Sequence, residues 1–228
     1  VAACGRIITV PKQTSSGGLV PAGNVFIRFR VQGTLDFANL HYLVVFNVTG
    51  NGQTPYAAPN LQQYANYSFI LVFGGTVAAG ASYALLQLVN SGTSAGFTPI
   101  VIPTNPSYVT NFNQNSSGSG NEFTFTFNRL LLTPVQTTSP TPQPSPTPVG
   151  IPTLLSGVSS LWAINCFSAD TNNNPIDGIA NGGINDTTFS SFVIDTTKPF
   201  DNPVNKTVLT QVTNINAQMS LVEIINQP

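Results

Sequence analysis

Charge is what this sequence lacks most. Only 7% of its 228 residues are Asp, Glu, Lys or Arg, and the formal net charge is −1, where an ordinary soluble domain carries about 25% charged residues. Its 7 Lys and Arg are scattered. Without a basic stripe there is nothing to neutralise a phosphate backbone, which excludes nucleic acid and polybasic membrane binding. Histidine, methionine and tryptophan each occur once, as His41, Met219 and Trp162, and cysteine twice, as Cys4 and Cys166. That excludes a cysteine cluster for zinc or iron–sulfur and a C-x-x-C-H haem attachment. His41 and Met219 form the one pair able to ligate a haem from both sides, and nothing else supports it. No G-x-G-x-x-G or P-loop phosphate cradle is present. Long hydrophobic runs are also missing: none approaches the roughly 18 residues a membrane-spanning helix needs. The mean hydropathy of +0.14 reflects absent charge.

What is present is apolar and aromatic. Hydrophobic residues make up 41% of the chain, with 15 Phe and 6 Tyr, enough to fill a core and to argue against disorder. Glu and Lys are too scarce for helices. VFIRFRV (Val25 to Val31) alternates, with Val25, Ile27, Phe29 and Val31 on one face and Arg28 and Arg30 on the other; FTFTF (Phe123 to Phe127) alternates more cleanly. LVVF (Leu43 to Phe46), YSFILVF (Tyr67 to Phe73), SYALLQLV (Ser82 to Val89), LWAINCF (Leu161 to Phe167), TFSSFVI (Thr188 to Ile194), TVLTQVT (Thr207 to Thr213) and MSLVEII (Met219 to Ile225) also read as strands. Gly-rich turns separate many of them. The expectation is an all-β protein: one antiparallel β-sandwich, immunoglobulin-like or jelly-roll-like, over residues 24–228.

One segment breaks the pattern. TTSPTPQPSPTPVGIP (Thr137 to Pro152) has proline at nearly every second position, which removes backbone donors and favours polyproline II. It is either an interdomain linker or an excursion within one sandwich. The excursion is expected, because the four strands after it are too few to stand alone.

At the other end, Val1-Ala2-Ala3-Cys4-Gly5 resembles the lipobox of bacterial exported lipoproteins: an aliphatic residue, two small residues, then cysteine. The resemblance implies that Val1 to Ala3 belong to a signal peptide, that Cys4 carries a diacylglyceride, and that residues 1–23 are anchor and tether, with PKQTSSGGLVPAG (Pro11 to Gly23) as the turn-prone spacer. Acyl chains anchor through about 0.8 kcal/mol per buried CH₂. Two alternatives stay open: a Cys4–Cys166 disulfide, closing a loop of about 160 residues for about 4–5 kcal/mol, or two unrelated thiols. The first two readings place the protein outside the cytoplasm, and the lipid reading places it on a bacterial membrane, at the periplasmic face or the cell surface.

DTNNNPIDG (Asp170 to Gly178) spaces oxygens at Asp170, Asn172, Asn174 and Asp177. Calcium loops use such alternation because side chains of a tight turn converge on one hard cation. Here Pro175 stands where the sharp-turn glycine belongs, and the terminal bidentate Glu is absent. The competing reading is an Asn-rich turn whose side chains bond their own backbone. The surrounding stretch, Leu161 to Asp195, resembles the strand–loop–strand unit of DOMON and family-9-like carbohydrate-binding sandwiches. That implies a ligand-binding or adaptor module, with Trp162, Tyr56, Tyr64 and Tyr67 as candidate sugar platforms; Trp162 sits inside a strand, and the competing reading, which is preferred for it, is core. The sequons at Asn47, Asn66, Asn115, Asn185 and Asn205 follow from an Asn- and Thr-rich composition and assign no glycan.

Two functional expectations result. One is a non-catalytic, lipid-anchored accessory subunit of a membrane-bound complex (respiratory or photosynthetic) or a cell-surface complex, with other protein subunits as partners. The other is a carbohydrate-binding or adhesion module with polysaccharide as partner. The only histidine lies in a strand, LHYLVVF, so no enzyme is expected.

Overall fold

The alternation of NVFIRFRV fixes the middle of one sheet, and the fold is built outward from it. The computed structural model describes residues 20–57, 64–74, 83–90, 97–102, 104–133, 158–206 and 212–228. Its strands, in chain order, are β1 (Asn24–Val31), β2 (Leu40–Asn47), β3 (Tyr56–Ala57), β4 (Tyr64–Ala65), β5 (Phe69–Phe73), β6 (Tyr83–Asn90), β7 (Phe97–Ile102), β8 (Val109–Asn113), β9 (Glu122–Asn128), β10 (Leu161–Asp170), β11 (Pro175–Gly178), β12 (Val193–Asp195), β13 (Phe200–Asn205) and β14 (Met219–Asn226). Among the described residues the helical pieces are single 3₁₀ turns at Pro106–Tyr108, Arg129–Leu132 and Gly183–Asn185. No helix among them is long and apolar enough to cross a membrane.

Two antiparallel sheets pack face to face as a β-sandwich. The first runs β13-β14-β1-β9-β8; the second runs β11-β10-β2-β5-β6-β7, with β12 also paired to β10. Strands from both sides of the Pro-rich segment share each sheet: β14 pairs with β1, and β10 with β2. Thr137 to Pro152, Pro11 to Leu19 and Cys4 lie outside the described residues.

The inner faces follow the period of two. Val25, Ile27, Phe29 and Val31 of β1 and Phe123, Phe125 and Phe127 of β9 meet Tyr42, Val44 and Phe46 of β2, Phe69, Leu71 and Phe73 of β5, and Trp162, Ile164 and Cys166 of β10. Phe73 touches both Phe123 and Phe125, with ring centroids 4.8 and 4.9 Å apart. Tyr42 is buried here with its hydroxyl satisfied: it accepts from the Asp36 N–H at 2.8 Å and donates to Asn216 O at 3.1 Å. Burial pushes its phenol up to about 12.

The second sheet is apolar on its outer face too, which is why its strands lack clean alternation. Leu43, Val45, Ile70, Val72, Phe167 and Ala169 form a second cluster there, covered by Ala57 and Tyr64 of the β3–β4 hairpin. Polar edges explain other departures from expectation. β8 (VTNFN), β11 (PIDG) and β13 (FDNPVN) carry no apolar stripe that announces a strand. Pro203 is tolerated in β13 because that strand is an edge, where a missing N–H costs no ladder bond. Thr188 to Ile194 is mostly turn, and the strand there is only Val193–Asp195. Its aromatics serve the core instead: Phe189 and Phe192 pack edge to face at 5.4 Å, inside the main cluster. Of Thr207 to Thr213, residues 207–211 lie outside the described residues.

Candidate functional site

The DTNNNPIDG stretch leaves the end of β10 and folds back as β11. Asp170 Oδ1 accepts from the backbone N–H groups of Asn172 at 2.8 Å and Asn174 at 2.9 Å, and Oδ2 from Asn174 Nδ2 at 2.8 Å. This is an Asx turn in which the carboxylate's lone pairs already serve the chain. Burial nudges the Asp170 carboxyl upward, but the hydrogen bonds from Asn174 and Asn172 outweigh it and hold it below the usual range. Asn173 takes φ +65° at the tip, a left-handed conformation that Asn tolerates better than most residues. Its Oδ1 lies 2.8 Å from His41 Nδ1, and its carbonyl accepts from Tyr64 OH at 3.0 Å. The lone histidine thus pins a turn. It lies on the outer face of the second sheet, on the side of Leu43 and Val45, whereas Met219 is buried in the core between the sheets, so the two do not face a common ligand.

Asp177 goes elsewhere. Its side chain turns into the interior, 1% exposed, and pairs with Lys206 Nζ, whose side chain is fully buried. Asp177 Oδ2 accepts from the Met219 N–H at 2.9 Å, and Lys206 Nζ also donates to Gly178 O at 2.8 Å. The structure therefore gathers Asp170, Asn172 and Asn174 on one turn and sends Asp177 to a separate interior pair. Among the described residues no group of three His, Cys, Asp or Glu is placed to hold a metal. The Asp177–Lys206 pair carried no local sequence signal, since its members are 29 residues apart. Only the topology, which sets β11 and β13 on the same side of the sandwich, brings them together.

A second polar group lies on the outer face of the first sheet. Glu122 Oε2 accepts from Arg28 Nε and Arg30 Nε, both at 2.8 Å, and Oε1 from Ser116 Oγ at 2.8 Å. Across β1, Glu223 lies 3.6 Å from Arg28. Burial raises the Glu122 carboxyl, but the bonds from Ser116, Arg28 and Arg30 outweigh it and leave it lowered. Glu223 is raised, first by burial and then by Asp201, against the pull of Arg28. Alternation in VFIRFRV foretold the two arginines on one face; their carboxylate partners come from strands distant in sequence.

The candidate sugar platforms do not line up on the surface. Trp162 is 2% exposed, and its Nε1–H donates to Ser159 O at 2.9 Å. Tyr64 is buried against Phe167, with ring centroids 5.0 Å apart. Tyr56 and Tyr67 are half-buried. Tyr67 does border an open cleft of about 320 Å³ with Asn47, Thr49, Asn51, Asn66 and Ser68, near the lower end of ligand-site volumes. Asn47 spends its amide on its own turn: Nδ2 donates to Asn51 Oδ1 and Gln53 O, and Oδ1 accepts from Thr49.

Gly92-Thr93-Ser94-Ala95-Gly96 has the spacing of a hydrolase nucleophile elbow. That elbow needs a strand-to-helix turn, whereas this segment joins β6 to β7, an antiparallel pair, and lies outside the described residues. Cys166 is a free, buried thiol, and burial pushes its pKa well up, which keeps it unreactive. No protein family, curated protein or solved structure was found to match the chain.

Proposed function

We propose that the protein is a non-catalytic β-sandwich held outside the cytoplasm by a lipid on Cys4, acting as an accessory subunit of a membrane-bound or cell-surface protein complex. The observation that carries this reading is that several reactive and adhesive side chains among the described residues are taken up within the fold. Trp162 and Tyr64 are core, and Asp177 and Lys206 are consumed by each other. Glu122 is spent on Arg28 and Arg30. What these described residues leave for a partner is shape and a surface of low charge.

The lipobox resemblance supplies the means of attachment. Fractionating cells that express the full precursor tests it. The parent protein is expected in the membrane pellet, resistant to high salt, and Cys4→Ser in the soluble fraction with its fold intact. A parent protein that is already soluble would remove the anchor from the account.

The carbohydrate-binding reading keeps one observation in its favour: the open cleft in which Tyr67 and Leu88 stand beside Asn and Ser side chains. Retention on insoluble polysaccharide, lost on Tyr67→Ala, would favour it over a subunit role.

A further inference from the structure

Lys206 and Asp177 form a pair whose chemistry is not exhausted by a salt bridge. The Lys206 side chain is fully buried and that of Asp177 is 1% exposed, with Nζ directly against Oδ1. Burying both charges away from water is costly, and the interior favours whatever removes them. Attack on a carboxyl carbon requires Nζ to give up a proton, and the carboxylate oxygen it touches is a base in place to take it. A lysine amine that has given up that proton is a nucleophile, and the fold holds Lys206 Nζ directly against the Asp177 carboxylate.

The neighbouring groups suit attack on the Asp177 carbonyl carbon. Gly178 O accepts from Nζ at 2.8 Å and orients the nitrogen. The Met219 N–H points at Oδ2 from 2.9 Å, where negative charge develops as the carbon becomes tetrahedral. The position between the sheets keeps out bulk water that would reverse the reaction.

We propose that Lys206 and Asp177 condense to an intramolecular isopeptide bond. The balance is internal. The ammonium and carboxylate together yield one amide and one water. The Nζ–Cγ bond forms and the Cγ–Oδ1 bond breaks. Oδ1 leaves carrying two protons that began on Nζ. No oxidant, metal or co-reactant is required, and two buried charges disappear. The product ties β11, an edge strand of the second sheet, to the residue that follows β13, an edge strand of the first. The two sheets then cannot part on that side without breaking a covalent bond.

Intact mass spectrometry of the folded, purified chain, denatured just before measurement, tests this directly. The expected mass is one water below that of the sequence, with a branched proteolytic peptide joining the segments that contain Asp177 and Lys206. Asp177 precedes Gly178, so ring closure onto its own backbone would lose the same water without a branch. Lys206→Arg separates the two: it preserves the charge and is expected to restore the full sequence mass. A parent chain at full mass, or a water loss that persists in Lys206→Arg, overturns the proposal. The parent measurement stands even if the variant folds poorly.

Discussion

Phe29 and Phe123 stand directly opposite each other on β1 and β9, and their rings stack with centroids 5.1 Å apart and planes 13° apart. Phe123 also contacts Phe73 of the facing sheet at 4.8 Å, so one ring bridges a ladder pair and the inter-sheet core. Phe123→Ala is expected to lower stability by about 3–5 kcal/mol, read from the urea midpoint. Val101→Thr, at a position 69% exposed, should stay within about 0.5 kcal/mol. Equal effects would mean that the apolar layer is not where the alternation puts it.

Glu122 and Glu223 flank Arg28 but should respond oppositely to pH. The folded pKa of Glu122 is lowered, so its contribution is complete above the unfolded value of about 4.3 and is lost as pH falls through the folded value. That of Glu223 is raised, so its contribution is present below the unfolded value and is lost as pH rises through the folded one. Glu122→Gln should therefore cost about 1–3 kcal/mol at neutral pH, with the gap closing in acid. Glu223→Gln should be neutral or stabilising at neutral pH. Unfolding midpoints at neutral and acid pH check both; a larger loss from Glu223→Gln than from Glu122→Gln would contradict the assignment.

The parts of this fold legible in the sequence are those where one face is apolar and the other polar. VFIRFRV and FTFTF announce β1 and β9 because Arg and Thr alternate with core residues. LWAINCF and LVVF read as strands but not by face, since β10 and β2 bury both sides. β8, β11 and β13 were illegible because edge strands need little apolar area, and PIDG looked like the end of a cation loop. The same limit hid the interior pair. Asp177 belongs by sequence to an Asn-rich turn, and only the packing of β11 near β13 supplies Lys206.

Calcium should be irrelevant to stability. Asp170 already accepts from Asn172 and Asn174, and Asp177 faces Lys206. Differential scanning fluorimetry with millimolar calcium and with chelator is expected to give the same Tm. A rise of several degrees with calcium alone would show that the turn rearranges around a cation. Asn173 sits at φ +65°, so Asn173→Gly should be mild, whereas Asn173→Val should cost about 1–2 kcal/mol.

Trp162, the only tryptophan, is sealed between the sheets and bonded to Ser159 O. Its emission should lie well to the blue of the unfolded chain and resist iodide quenching. Soluble oligosaccharides should leave it unchanged. Strong quenching, or a sugar-dependent shift, would place the ring at a binding surface.

The central claim, an anchored subunit within a larger assembly, is tested most directly by purifying the tagged native protein from membranes in mild detergent and weighing what comes with it. The account predicts a single larger complex with other subunits at fixed ratio, the chain itself beginning at a diacylglyceryl-modified Cys4. A lone, unacylated protein recovered from the soluble fraction would contradict it.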